Sequence, residues 1–265
     1  MRARRDRGGN GVKGAIWIGS LALIAIALAF GFYWIKRDAG KHATDESGCL
    51  KQGLAPQAAL FMIDTTDRLS TASAGRVLQE IREVIKGMPR YSRVAIVPFG
   101  DDQAAPFPIL FGGCLPGRAE DARPTESERF LGEDFKKFEA SLDQLGDKLA
   151  SLQDAETSPI TRQVVRAASD PTLKWEGDQK LLILITDGLE SSVFWTRDLR
   201  LADPPRGLLD DVCAEYFEVG NERSNRLQTP QLREQWREWF EKSGASIRIF
   251  APGYRADRAL GRCSS

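Results

Sequence analysis

Two short runs, AALFMID at residues 58–64 and LLILITD at residues 181–187, are apolar almost throughout and end on an aspartate; no other feature restricts the fold of this chain as strongly. Apolar side chains at successive positions, rather than alternate ones, mark strands buried on both faces, as in the centre of a parallel sheet. RVAIVPF at 93–99 has the same character. FPILF at 107–111 is expected at a sheet edge, because Pro106 and Pro108 cannot donate to a ladder. Helical spacing separates these runs. Val77, Leu78, Ile81, Val84 and Ile85 recur at steps of one, three and four over 73–86, with Gly87 as a stop. Phe135, Phe138, Leu142, Leu145, Leu149 and Leu152 form an apolar stripe over 134–153. A short helix is expected over 160–168, a helix with Trp236, Trp239 and Phe240 over 231–243, a strand over 245–251 and a last helix near Ala256. Residues 189–230 are long for a connection, so they read as a functional loop or insert with a helical piece over 208–217. Alternating strands and helices predict an α/β fold, with helices on both faces of a mainly parallel sheet and ligands at the carboxyl ends of its strands.

The apolar run at 15–35, AIWIGSLALIAIALAFGFYWI, stands apart from this pattern. Its length of about 21 residues is enough to cross a bilayer core of roughly 30 Å, and Trp17, Tyr33 and Trp34 sit at its ends, where amphipathic rings favour the interface. A cleaved signal peptide would have a shorter apolar region and a small-residue cleavage site, where this chain has FYWIKR. Arg2, Arg4, Arg5, Arg7 and Lys13 precede the run, and Lys36, Arg37 and Lys41 follow it. That bias predicts a single-pass membrane protein with a basic cytoplasmic tail at 1–14, a span at 15–35 in the lipid bilayer, a tether at 36–57 and a periplasmic or extracellular domain at 58–265.

The residue inventory excludes several chemistries. His42 is the only histidine and falls in the tether, so a nucleophile–histidine system inside the domain lacks its base. No GxxxxGK[ST] or GxGxxG cradle follows a strand. Thirty-seven basic residues balance 37 acidic ones, so nucleic acid is not expected as a partner. The remaining enzymatic alternative is a metal-dependent hydrolase on paired carboxylates. The aspartate-nucleophile phosphatases have a second Asp where this chain has Thr66, which removes their general acid.

Three segments should meet at the carboxyl edge of the sheet: Asp64-Thr65-Thr66-Asp67-Arg68-Leu69-Ser70, Thr157-Ser158-Pro159-Ile160 and Thr186-Asp187-Gly188. In this order, with these strands between them, they resemble the von Willebrand factor A (VWA) family and its metal-ion-dependent adhesion site, built on DxSxS, a Thr and a TDG-type Asp. The resemblance covers nearly all of residues 59–261. It implies a Rossmann-like sheet with one antiparallel edge strand, and a protein-interaction module or membrane-complex subunit rather than an enzyme. Asp64 matches the first Asp, Thr66 the first Ser, Ser158 the second-loop Thr and Asp187 the third-loop Asp. These hard oxygen donors suit Mg²⁺, Ca²⁺ or Mn²⁺.

Arg68 stands where the family has its second Ser, and a guanidinium cannot ligate a cation. Arg68 can point to solvent while Asp67 or Ser70 supplies an oxygen, fold inward and pair with Asp64 or Asp187 in place of the cation, or mark a vestigial site. Capping offers a plainer role for the same residues, since Ser158 before Pro159 is a good helix N-cap. Four cysteines, with no zinc-type spacing, can form two disulfides in three ways. The proximity of the domain's ends that the resemblance implies favours Cys49–Cys263 with Cys114–Cys213.

Overall fold

The computed structural model describes residues 10–41, 44–66, 71–101, 106–124, 126–152, 155–190, 200–218 and 229–250. Residues 1–43 and 44–265 form two separate units. In the first, the whole apolar run is helical within α1, Asn10–Lys41. The described large apolar side chains of α1, Trp17, Leu21, Phe30 and Trp34 among them, are more than half exposed. Among the described residues, which in α1 include the side chains of Trp17 and 21–37, no helix is long and apolar enough to cross a membrane.

The second unit is built on six strands: β1 Ala58–Asp64, β2 Arg93–Phe99, β3 Phe111–Cys114, β4 Lys180–Thr186, β5 Val212–Glu218 and β6 Ser246–Phe250. Their order is β3-β2-β1-β4-β5-β6, and every pairing is parallel except that of β3 with β2. The expected mainly parallel sheet with one antiparallel edge strand is present. Strand parity divides the core. Ala59, Phe61 and Ile63 of β1 face the helices α2 (Thr71–Lys86) and α3 (Glu128–Ala150), against Ile81, Val84, Leu145 and Leu149. Leu60 and Met62 face α4 (Ile160–Ser169) and α5 (Pro230–Lys242), against Val164, Ala167, Trp236 and Phe240. A strand buried on both sides is apolar at successive positions for this reason.

Several boundaries differ from the sequence expectation. The third strand is Phe111–Cys114 and not 107–111. With Pro106 and Pro108 lacking amide protons, the chain joins β2 only where its amides are free, beginning with Leu110 N donating to Ile96 O at 2.9 Å. The segment expected to be helical at 208–217 is largely strand β5. Its alternation of Cys213, Glu215 and Phe217 with Ala214 and Tyr216 has a period of two, and both of its edges are paired, with β4 and β6. The expected insert at 189–230 therefore contributes a central strand. Helix α3 starts at Glu128, ahead of its apolar stripe. The expected helix near Ala256 lies outside the described residues.

Residues 44–57, read as tether, are bonded to the domain. Gln57 O accepts from Arg93 N, Ala55 O from Asp178 N, and Ser47 O from Cys114 N. The Asp45 carboxylate accepts from Ser47 N and Cys49 N, closing a tight turn. That turn sets Cys49 against the end of β3, with Cα atoms 4.8 Å apart, and the disulfide joins Cys49 to Cys114. This overturns the expected Cys49–Cys263 and Cys114–Cys213 pairing: local backbone bonding, rather than the proximity of the domain's ends, decides which thiols meet.

An ion pair fastens the chain ahead of α3. The Arg90 guanidinium donates two hydrogen bonds to the Glu126 carboxylate, at 2.8 and 2.9 Å, and the Arg123 amide a third at 3.0 Å. The bonds from Arg90 are the main reason the Glu126 pKa falls from 4.5 to about 2. A depressed carboxylate pKa stabilises the fold fully above about pH 4.5, and the effect fades as pH falls toward about 2. Glu126→Gln should cost roughly 1–2 kcal/mol at neutral pH. In denaturant titrations the deficit should shrink as pH is lowered through that window; a deficit independent of pH would show that charge is not its source.

Candidate functional site

Connections leave β1 toward β2 on one side and β4 toward β5 on the other, so the crevice beyond the ends of β1 and β4 is the topological switch point, where open α/β sheets bind ligands. Asp64 ends β1 and Asp187 follows β4 directly. Ile63 is in register with Ile185, so Asp64 and Thr186 stand side by side and share one strand parity.

Asp64 is 7% exposed, and its carboxylate organises the crevice. Its Oδ1 accepts from the Thr66 amide at 3.0 Å and the Thr66 hydroxyl at 2.7 Å. Its Oδ2 accepts from the hydroxyls of Ser158 and Thr186, both at 2.6 Å. The three segments that should converge are thereby joined at one side chain: the turn after β1, the loop before α4 and the end of β4. Asp187 turns its own loop in the same manner, accepting from Leu189 N at 2.9 Å. Gly188 is required at the next position, because its φ is +77° and a Cβ there would come within 1.9 Å of the Tyr216 hydroxyl oxygen.

Ser158 does not act as the N-cap. The cap position of α4 is Pro159, with no side-chain bond, and the Ser158 hydroxyl goes to Asp64. Glu190 takes over the capping role: its Oε2 accepts from Thr161 N at 2.7 Å, which places a carboxylate at the positive end of the helix. Behind the site, Asp101 accepts from the Thr157 amide at 2.8 Å and hydroxyl at 3.1 Å, and Gln163 Nε2 donates to Asp101 O at 2.8 Å. The loops are therefore held to one another and not only to the sheet.

Thr186, Glu190 and Asp101 were not singled out from the sequence as site residues. Parity could have revealed Thr186, since it shares a face with Leu182 and Leu184 on the next strand to Asp64. Glu190 and Asp101 contact partners remote in sequence and carried no local signal. Asp67, Arg68 and Ser70 lie outside the described residues.

A divalent cation can be tested against this donor set. Each of the Thr66 and Ser158 hydroxyls has one proton, and each gives it to Asp64, so what they present elsewhere is lone pairs. Thr186 differs, because its oxygen also accepts from Gly188 N at 3.0 Å, which makes it a brace between strand and loop. Two carboxylates match two positive charges, and every donor is a hard oxygen. The described residues thus fit such a cation by chemistry. Among them no cluster of three or more His, Cys, Asp or Glu side chains forms a richer alternative.

No protein-family model matches the chain, and no curated protein matches it. Among solved structures, the chain is similar to an aerotolerance-related membrane protein from Bacteroides fragilis, at 13% identity and TM-score 0.41 over 78% of this chain and 95% of that one. It is similar to the conserved hypothetical protein BatB from Bacteroides thetaiotaomicron, at 12% identity and TM-score 0.42 over 77% and 94%. It is also similar to a von Willebrand factor type A structure from Catenulispora acidiphila, at 12% identity and TM-score 0.40 over 78% and 40%.

Proposed function

We propose that this chain is a membrane-anchored VWA-like interaction module that recognises a protein partner at the carboxyl edge of its sheet through a divalent cation. The observation that carries this reading is the Asp64 carboxylate at the switch point, which accepts hydrogen bonds from the Thr66 and Ser158 hydroxyls and so draws hard oxygen donors from two loops to one carboxylate. Asp64, Thr66, Ser158 and Asp187 would hold the cation, Mg²⁺ or the closely similar Mn²⁺. When bound, it would offer a Lewis-acidic position to an acidic side chain of the partner. Arg68 points away from the cation in this reading, and Asp67 or Ser70 contributes an oxygen. Thr186, Glu190 and Asp101 orient the ligands without touching the cation. No enzymatic role is proposed; the chain's single histidine, His42, precedes the domain in sequence, so a nucleophile–histidine system is not part of this reading.

Residues 15–35 are the proposed anchor, supported by the length and apolarity of the run, its helical conformation within α1 and the exposure of its described apolar side chains. The Cys49–Cys114 disulfide supports placing the domain on the oxidising side of the membrane, in keeping with the basic residues before the span.

Isothermal calorimetry with MnCl₂ on the detergent-solubilised chain tests the site. The parent should bind in a saturable manner, and Asp64→Asn and Asp187→Asn should each weaken binding by at least about tenfold, the scale seen when metal-site partners are removed. Binding by Arg68→Ser but not by the parent would show that the guanidinium occupies the cation's place. No binding by either would show the site to be vestigial, and turnover of a phosphoester that depends on Asp64 and Asp187 would replace the binding module with a hydrolase.

A further inference from the structure

A cleft of about 170 Å³ opens at the amino ends of β1 and β2, the end of the sheet away from Asp64. Arg93 is the first residue of β2, and Cys114, in register with it, is the last of the antiparallel β3. Arg93 shares strand parity with Ala95 and Val97, so it belongs to the face covered by α4 and α5. Two segments wall the cleft. One is residues 49–55, fastened by the Cys49–Cys114 disulfide and by Ala55 O accepting from Asp178 N at 2.9 Å; the other is residues 171–176, which follow α4. Leu50, Leu54 and Pro171 supply apolar surface, and the charges are Arg93, Lys174 and Glu176. Among the described residues none of these three charged side chains makes a hydrogen bond or an ion pair. The Asp45 carboxylate feels the charge of Arg93 but accepts from the Ser47 and Cys49 amides instead. Arg93 is only partly exposed, and a guanidinium has five donors and no acceptor, so without an acid beside it these donors are left for an outside oxygen. Lys174 stands at φ 48° and ψ 38°, a left-handed conformation that Gly or Asn adopts more readily, and so brings a second cation to the cleft against a backbone cost.

We infer that this cleft is a second binding site, for a singly charged oxyanion, a carboxylate or a phosphodiester, carried on a short apolar group. Arg93 is its anchor, because the planar guanidinium presents two parallel N–H groups to a pair of oxygens. The two cations outweigh the one carboxylate by a single charge, and Glu176 repels a second negative charge on the ligand. The volume lies below the roughly 300–1,000 Å³ of pockets that enclose a drug-sized molecule, so the cleft takes a small molecule or one end of a larger one. Seven-residue strands separate it from the candidate cation site by about 20 Å at strand spacing, so either site can be altered without touching a residue of the other.

The test titrates the full chain in detergent micelles with sodium isovalerate and follows binding by saturation-transfer difference NMR, with empty micelles as the blank. Binding should saturate. Isovaleramide, which has the same shape without the charge, should bind at least about tenfold more weakly, as should isovalerate to Arg93→Gln, the scale of a lost charge-assisted hydrogen bond. Dimethyl phosphate in place of isovalerate separates the two oxyanion classes, and the tighter of the two identifies the class. Glu176→Gln supplies a readout that misfolding cannot mimic: it should bind inorganic phosphate, largely a dianion at mildly alkaline pH, about fivefold more tightly than the parent does. Failure of both isovalerate and dimethyl phosphate to bind, equal binding of isovalerate and isovaleramide, or undiminished binding by Arg93→Gln overturns the proposal. Unchanged phosphate binding by Glu176→Gln overturns the selectivity for a single charge.

Discussion

Replacing Trp236 by alanine is expected to lower the unfolding free energy of the domain by about 4 kcal/mol, the scale for deleting a buried aromatic side chain. Trp236 is fully buried, and its ring lies 6.0–6.2 Å from those of Tyr216, Trp239 and Phe240. These neighbours belong to β5 and to α5 itself, so a void at Trp236 loosens the contact between that helix and the sheet. The indole also carries a polar function, with Nε1 donating to Gly188 O at 3.0 Å. Removing it takes a donor from the Gly188 carbonyl in the loop after Asp187, which also accepts from Glu190 N at 3.1 Å. Trp236→Phe separates the two contributions, since it keeps most of the ring and loses the hydrogen bond, and it should cost about 1–3 kcal/mol. Urea titrations of both variants measure the difference. Equal losses would mean that the hydrogen bond, and not the filled volume, dominates at this position.

Reduction of Cys49–Cys114, or Cys114→Ser, should cost about 4 kcal/mol, because the bridge closes a loop of 65 residues and limits the unfolded chain accordingly. The loop contains β1, α2 and β2, so the constraint acts on the half of the sheet that holds Asp64. Thermal melts with and without the substitution check this, and a second experiment locates it. In Cys114→Ser, residues 44–57 should become accessible to limited proteolysis before the sheet unfolds, as their remaining ties to the domain are backbone hydrogen bonds near its surface. A variant as stable as the parent would show that the Asp45 turn and these bonds suffice to hold the segment.

The strands at 58–64, 93–99 and 180–186 were legible because burial on both faces leaves a continuous apolar run, which few other arrangements tolerate. Strand β5 was not. Its Glu215 and the polar residues around it resemble an amphipathic helix, and only pairing with β4 and β6, together with the Arg248 partner across the strand, makes an extended chain with a buried carboxylate favourable. Prolines correctly placed the third strand at an edge and misplaced it by a few residues. They mark where a ladder cannot form but not where it begins.

In the candidate site, the aspartates were legible as polar residues at the ends of apolar strands, where loops gather in α/β folds. The roles of their neighbours were not. Ser158 has the sequence signature of a helix cap, yet its hydroxyl donates to the Asp64 carboxylate, and Glu190 from the next loop accepts the Thr161 amide at the helix start instead. Nothing in a linear pattern reveals that the Ser158 hydroxyl has an acceptor 94 residues away.

What the sequence by itself determined is the α/β architecture, the apolar helix at 15–35 and the two aspartates at strand ends, because each depends on periodicity or on the character of a continuous run. The tertiary structure alone decided which hydroxyls Asp64 binds and that Cys49 pairs with Cys114. Those outcomes depend on distances between segments far apart in the chain. A side chain with several chemically adequate partners takes the one that the packed backbone brings within reach.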